Sequence, residues 1–147
     1  LRGLGLALVT IIACRPVPTI QTRTYEPGEK AAKLDDLGVE LLSATYDERQ
    51  LTVVIDLQNV GNAPATIERS GLLLAYEQLE FPARQTTAAQ TLELPAGGSE
   101  RLTLSFETGT SIMEEAELIV RAARRGETWL DPVRLTIPPA PDVVVED

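Results

Sequence analysis

The chain has no histidine and a single cysteine, Cys14, among its 147 residues. Those two scarcities exclude a good deal of chemistry. Zinc, copper and haem sites draw on imidazole and thiolate ligands. Ser-His-Asp and Cys-His catalysis loses its base. One thiol closes no disulfide within the chain, so the fold must rest on its apolar core. The sequence therefore predicts no cofactor, no metal site and no enzymatic activity. Basic residues are also few, 13 against 22 acidic ones, for a net charge of −9. Nucleic acid is bound by Lys and Arg displacing counterions from phosphate, so that partner is excluded. The same sign argues against a peripheral grip on anionic lipid. Aromatics make up only 4% of the chain and include one tryptophan, Trp129. The apolar run near the start is shorter than the roughly 20 residues of a membrane-spanning helix.

That run is nonetheless the most specific feature present. Leu4-Gly-Leu-Ala-Leu-Val-Thr-Ile-Ile-Ala-Cys14 follows Arg2 and is closed by Arg15-Pro16-Val17-Pro18, whose prolines break strand or helix. A basic start, a short apolar core and a small residue before cleavage are the parts of a secretory signal. Within it, Ile11-Ile12-Ala13-Cys14 resembles the lipobox of bacterial lipoproteins. The resemblance implies a signal peptide over residues 1–13, cleavage between Ala13 and Cys14, and acylation (palmitate included) of Cys14 as the new N-terminus. Each buried CH₂ of an acyl chain adds about 0.8 kcal/mol, so several chains hold the protein permanently at the membrane. Arg15 stands where an aspartate would favour inner-membrane retention. The implied address is the bacterial cell envelope, at the outer membrane facing the periplasm.

Residues 14–37 hold several prolines and few large apolar side chains, and read as a lipidated N-terminus and flexible tether. From Val39 the pattern changes to short alternating runs. Leu51, Val53, Ile55 and Leu57 alternate with Thr52, Val54, Asp56 and Gln58, the signature of a strand with one buried face. Leu72/Leu74/Tyr76, Leu102/Leu104/Phe106, Leu118/Val120 and Val133/Leu135/Ile137 repeat it. Asp47-Glu48-Arg49, Asn59 to Pro64, Pro95 to Gly98 and Arg125-Gly126-Glu127 supply turns between these runs. Ser111-Ile112-Met113-Glu114 has capping-box spacing and predicts one helical turn. The expected fold over 38–137 is an all-β sandwich of seven or eight antiparallel strands. Residues 138–147 form a Pro-rich acidic tail in which Val143, Val144 and Val145 are β-prone. Its plain reading is a solvated end; its sharper one is a strand that adds to a sheet edge, on this domain or on a partner.

Two stretches carry a second resemblance. Leu51-Thr-Val-Val-Ile-Asp-Leu-Gln-Asn-Val-Gly-Asn-Ala-Pro-Ala65 resembles the strand and turn of bacterial immunoglobulin-like modules, and Leu94-Pro-Ala-Gly-Gly-Ser-Glu-Arg-Leu-Thr-Leu-Ser-Phe106 is similar to their later strand. Such modules are known from cell-adhesion-related proteins and small lipoproteins. The resemblance implies a non-enzymatic interaction or assembly module, tethered to the membrane by its lipid and holding a protein partner in the envelope. The competing reading is a periplasmic carrier that binds a small lipid or glycan between its sheets.

The remaining chemical candidates weaken when their surroundings are read. Asp35-Asp36, Asp47-Glu48 and Glu114-Glu115-Ala116-Glu117 lack the spaced ligands and Gly-rich frame of a calcium loop. Asn59, Gly61 and Asn62 suit a ligand loop but are already explained by turn geometry. Trp129 suits a partner-binding rim. The core is favoured for it, because a domain poor in aromatics packs its largest one.

Overall fold

The computed structural model describes residues 20–141. The expected cleavage at Ala13, acylation at Cys14 and strand Val143–Val145 lie outside those residues. Within them the protein is all-β, with thirteen strands, antiparallel where they pair, in three sheets and one 3₁₀ turn.

Sheet A is built on a long hairpin. β1 (Gln21–Thr24) and β2 (Ala31–Leu34) share one edge of β3 (Leu37–Tyr46), which pairs with β4 (Gln50–Asn59). Asp47-Glu48-Arg49 closes this hairpin as its turn chemistry predicts, with Tyr46 opposite Leu51. The register of β3 slips at Leu42, the point where β1 hands over to β2. There Tyr25 N–H donates to the Leu42 carbonyl, and Leu41 N–H donates to that of Lys30. The tether expected over residues 14–37 is therefore strand from Gln21 to Thr24 and from Ala31 to Leu34. Both strands lie on the solvent side of an edge, so they show no alternation strong enough to announce themselves.

Sheets B and C are joined by two strand pairs that run through both. β5 (Ala65–Glu68) leads through the 3₁₀ turn Arg69–Gly71 into β6 (Leu72–Tyr76), followed by β7 (Leu79–Pro82) and β8 (Thr91–Leu94). After β9 (Ser99–Glu107), the fifth strand of sheet A, come β10 (Ala116–Val120), β11 (Ala123–Arg125), β12 (Thr128–Trp129) and β13 (Val133–Ile137). β6 pairs with β10 in sheet C, and β5 pairs with β11 in sheet B. Across the break, Glu68 N–H donates to Ala122 at 2.8 Å and Arg121 N–H to Gly71 at 2.8 Å. The ladder is thus bent rather than cut. Strands that turn a corner between sheets are a known route to closing a β core.

One hydrophobic cluster draws on all three sheets: Leu51, Val53, Ile55 and Leu57 from β4, Leu74 and Leu118 from sheet C, Ile67 and Leu94 from sheet B. All but Ile67 and Leu94 are period-2 positions of the sequence. The expected helical turn at Ser111–Glu114 is absent, and the segment is irregular. Ile112 is buried, and its carbonyl accepts from Ala140 N–H at 2.9 Å. Tyr76 Oη accepts from Met113 N–H at 3.0 Å. Tertiary bonds have taken the backbone groups that a helix needs.

Candidate functional site

Sheet B carries a transverse row of four paired residues. Trp129 lies opposite Arg124, Arg124 opposite Thr66, and Thr66 opposite Glu93. Residues paired across antiparallel strands project from the same face. Their chain neighbours Ala65, Ile67, Leu92, Leu94 and Ala123 are buried, so the row faces solvent. Trp129 is 59% exposed. This overturns the core position favoured for it by composition. β12 has two residues, and its register with Arg124 sets the indole on the outer side of an edge strand.

The row is polar apart from the indole, and its members contact one another in two pairs. Arg124 Cζ stands 5.9 Å from the Trp129 ring centroid, within range of a cation–π contact. Arg124 Nη1 also donates to the Gly126 carbonyl at 3.1 Å, which holds the guanidinium over the hairpin turn. Thr66 Oγ1 donates to Glu93 Oε1 at 2.9 Å. The surface thus offers an aromatic face, a cation and a carboxylate in one line.

The hairpin that presents Trp129 is strapped to the rest of the molecule. Arg125 Nη1 donates to Ala63 O at 2.7 Å, and Nη2 reaches the carbonyls of Asp35 and Asp36 at 3.2 Å each. Asp131 N–H donates to Asp35 Oδ2 at 3.2 Å. Asp35 and Asp36 both have positive φ, 54° and 62°. They form the two-residue turn between β2 and β3, the left-handed pair that a tight hairpin needs. Their carbonyls and one carboxylate serve this strap. The other acidic clusters are similarly placed: Asp47 caps its own turn through Glu48 N–H, and Glu117 pairs with Arg134 at 2.8 Å. Among the described residues no three Asp or Glu side chains gather as metal ligands.

Asn59 is a structural knot. It is 1% exposed, and its Nδ2 reaches the carbonyls of Ala63 at 2.9 Å, Leu94 at 3.0 Å and Pro95 at 3.2 Å. Gly61 N–H donates back to Asn59 Oδ1 at 3.1 Å. The turn reading of Asn59 and Gly61 therefore accounts for both residues. On the outer face of sheet C, Arg121 pairs with Glu80 and holds its carboxyl below the usual carboxylate range. That pair is exposed and adds little stability.

No protein-family model matches the chain, and no curated protein does. Among solved structures, the crystal structure of the yjhA protein from Bacillus subtilis is similar at 13% sequence identity and a TM-score of 0.48, over 63% of this chain and 77% of that one.

Proposed function

We propose that this is a non-enzymatic interaction module of the bacterial cell envelope, anchored by lipid at Cys14 and built as an immunoglobulin-like sandwich. The sandwich reading is supported by one apolar cluster shared between sheet A and the bent pair B and C. On this reading the extra short strands decorate the edges of seven or eight longer ones. The anchor reading is supported by Ile11-Ile12-Ala13-Cys14 after an apolar run.

The observation that carries the interaction reading is Trp129. A chain with one tryptophan leaves it largely exposed, on a hairpin fixed by Arg125 and stacked against Arg124. Trp and Arg are the residues most enriched at interface hot spots, and a rigid anchor loses little entropy on binding. The partner is a protein of the envelope that offers an apolar pocket for the indole and an acidic group for Arg124.

Metabolic labelling with a palmitate analogue tests the anchor. Labelled protein that loses the label in Cys14→Ser supports it, and equal labelling of both overturns it.

A further inference from the structure

The edge of β9 away from β4 borders a cavity of about 230 Å³. Arg69, Arg84, Arg101, Gln85, Thr86 and Thr103 supply its polar lining, and no aspartate or glutamate lines it. In a chain of net charge −9 this is a local reversal of sign. Clefts lined by one sign of charge focus the field and draw in the opposite ion.

The donors here are incompletely used. Arg101 pairs with Asp56 at 3.0 Å and Arg84 pairs with Glu107. A guanidinium carries five N–H groups, so each retains others. Arg69 has no side-chain partner among the described residues, and its Nε is buried without any acceptor. With no acceptor committed to it, this guanidinium keeps its outer N–H groups for a ligand.

The strand edge adds to this. Arg84 N–H donates to Ser105 O at 2.8 Å, on the side of β9 away from β4. Backbone groups alternate sides along an antiparallel strand. The N–H and C=O of one residue point the same way, so Arg101 and Thr103 direct both groups to the same side as Ser105. A cation would be repelled here, and an apolar ligand would leave the guanidinium N–H groups that line the cavity without an acceptor. A group rich in acceptor oxygens suits both.

We propose that this cavity is a site for a small oxyanion, a carboxylate or phosphate borne by a small molecule, gripped by Arg69 with help from Arg84 and the β9 edge. The site is separate from the Trp129 row and stands independently of the interaction reading.

Titrating inorganic phosphate and citrate into the full chain, with ionic strength balanced by sodium chloride, tests it. A saturating anion raises the melting temperature by about 5 °C. Arg69→Gln weakens binding by about tenfold or more, while Arg69→Lys keeps the charge without the fork and falls between. Either anion binding at the cavity supports the site, and the tighter one identifies the ligand as phosphate or carboxylate. Should Arg69→Gln fail to fold, Arg84→Gln at a more exposed position gives the same comparison. Amide shifts on titration then centre on Arg69, Gln85, Thr86 and Thr103. No gain in melting temperature with either anion, equal affinity in the folded variants, or shifts centred elsewhere would overturn the proposal.

Discussion

Gly61 lies directly against the guanidinium of Arg125: a Cβ at that position would stand 2.8 Å from Arg125 Cζ. The absent side chain is what lets Arg125 reach three backbone carbonyls and strap the Trp129 hairpin to the β2–β3 turn. Gly71 meets a harder obstacle, since a Cβ there would stand 2.6 Å from the backbone nitrogen of Ala122. A guanidinium can swing aside, so Gly61→Ala costs about 1 kcal/mol in lost hydrogen bonds. The backbone at Ala122 is held in the bent ladder, so Gly71→Ala costs more, up to about 3 kcal/mol. Urea unfolding of both variants should give that order.

Asn59→Ala removes one buried amide that serves three carbonyls and one N–H. The groups left behind lie between the end of β4 and the end of β8. Their desolvation predicts a loss of about 2–3 kcal/mol. Asn59→Asp sets a carboxylate against those carbonyls and is no less damaging. A loss under half a kcal/mol, roughly that of an ordinary surface substitution, would show that water replaces the amide freely.

Glu77 and Gln78 join β6 to β7 with φ of 52° and 67°. Each carries a side chain in the left-handed region, which costs roughly 1–2 kcal/mol per residue unless compensated. Asn-Gly is the preferred pair for such a turn. Replacing Glu77-Gln78 by Asn-Gly should raise stability by about 1 kcal/mol, read as a higher melting temperature. An unchanged or lower melting temperature would mean that the existing side chains offset the strain.

Tyr46 Oη donates to the Pro138 carbonyl at 2.6 Å and is buried beside Tyr25. Burial pushes its phenol well above the usual range, and the neighbouring Tyr25 adds to the shift. The folded state thus holds this proton more tightly than the unfolded chain. Its contribution is complete below about pH 10, the unfolded value, and is lost progressively as pH rises above that. Tyr46→Phe should lower stability at neutral pH by about 1 kcal/mol and flatten the alkaline decline. An alkaline decline as steep in the variant as in the parent would assign it to other groups.

Much of the core was legible in the sequence because its strands have one wet face. Leu51, Val53, Ile55 and Leu57 alternate with polar residues, and they are fully buried. β1, β2 and β7 were not legible as strands, since they run along edges where little needs to be apolar. The turns at Asp35-Asp36 and Glu77-Gln78 escaped notice for a different reason: they reach positive φ without glycine. Ser111–Glu114 has a helical signal that tertiary bonds to Tyr76 and Ala140 override. Composition alone favours the core for Trp129, whereas the register of β12 with Arg124 decides which face it occupies. The Arg69 cavity had no signal at all, because its three arginines come from separate segments.

The central claim is that Trp129 is a binding anchor and not a structural residue. The most direct measurement is crosslinking of the full chain in intact cells, comparing the parent with Trp129→Ala, alongside the melting temperature of each. Trp129 is largely exposed on a two-residue edge strand, so its removal should shift the melting temperature by no more than about 2 °C. The account predicts a specific crosslinked protein that disappears in the variant and weakens in Arg124→Ala. The same crosslinks in parent and variant, or a variant that loses several degrees of stability, would contradict it.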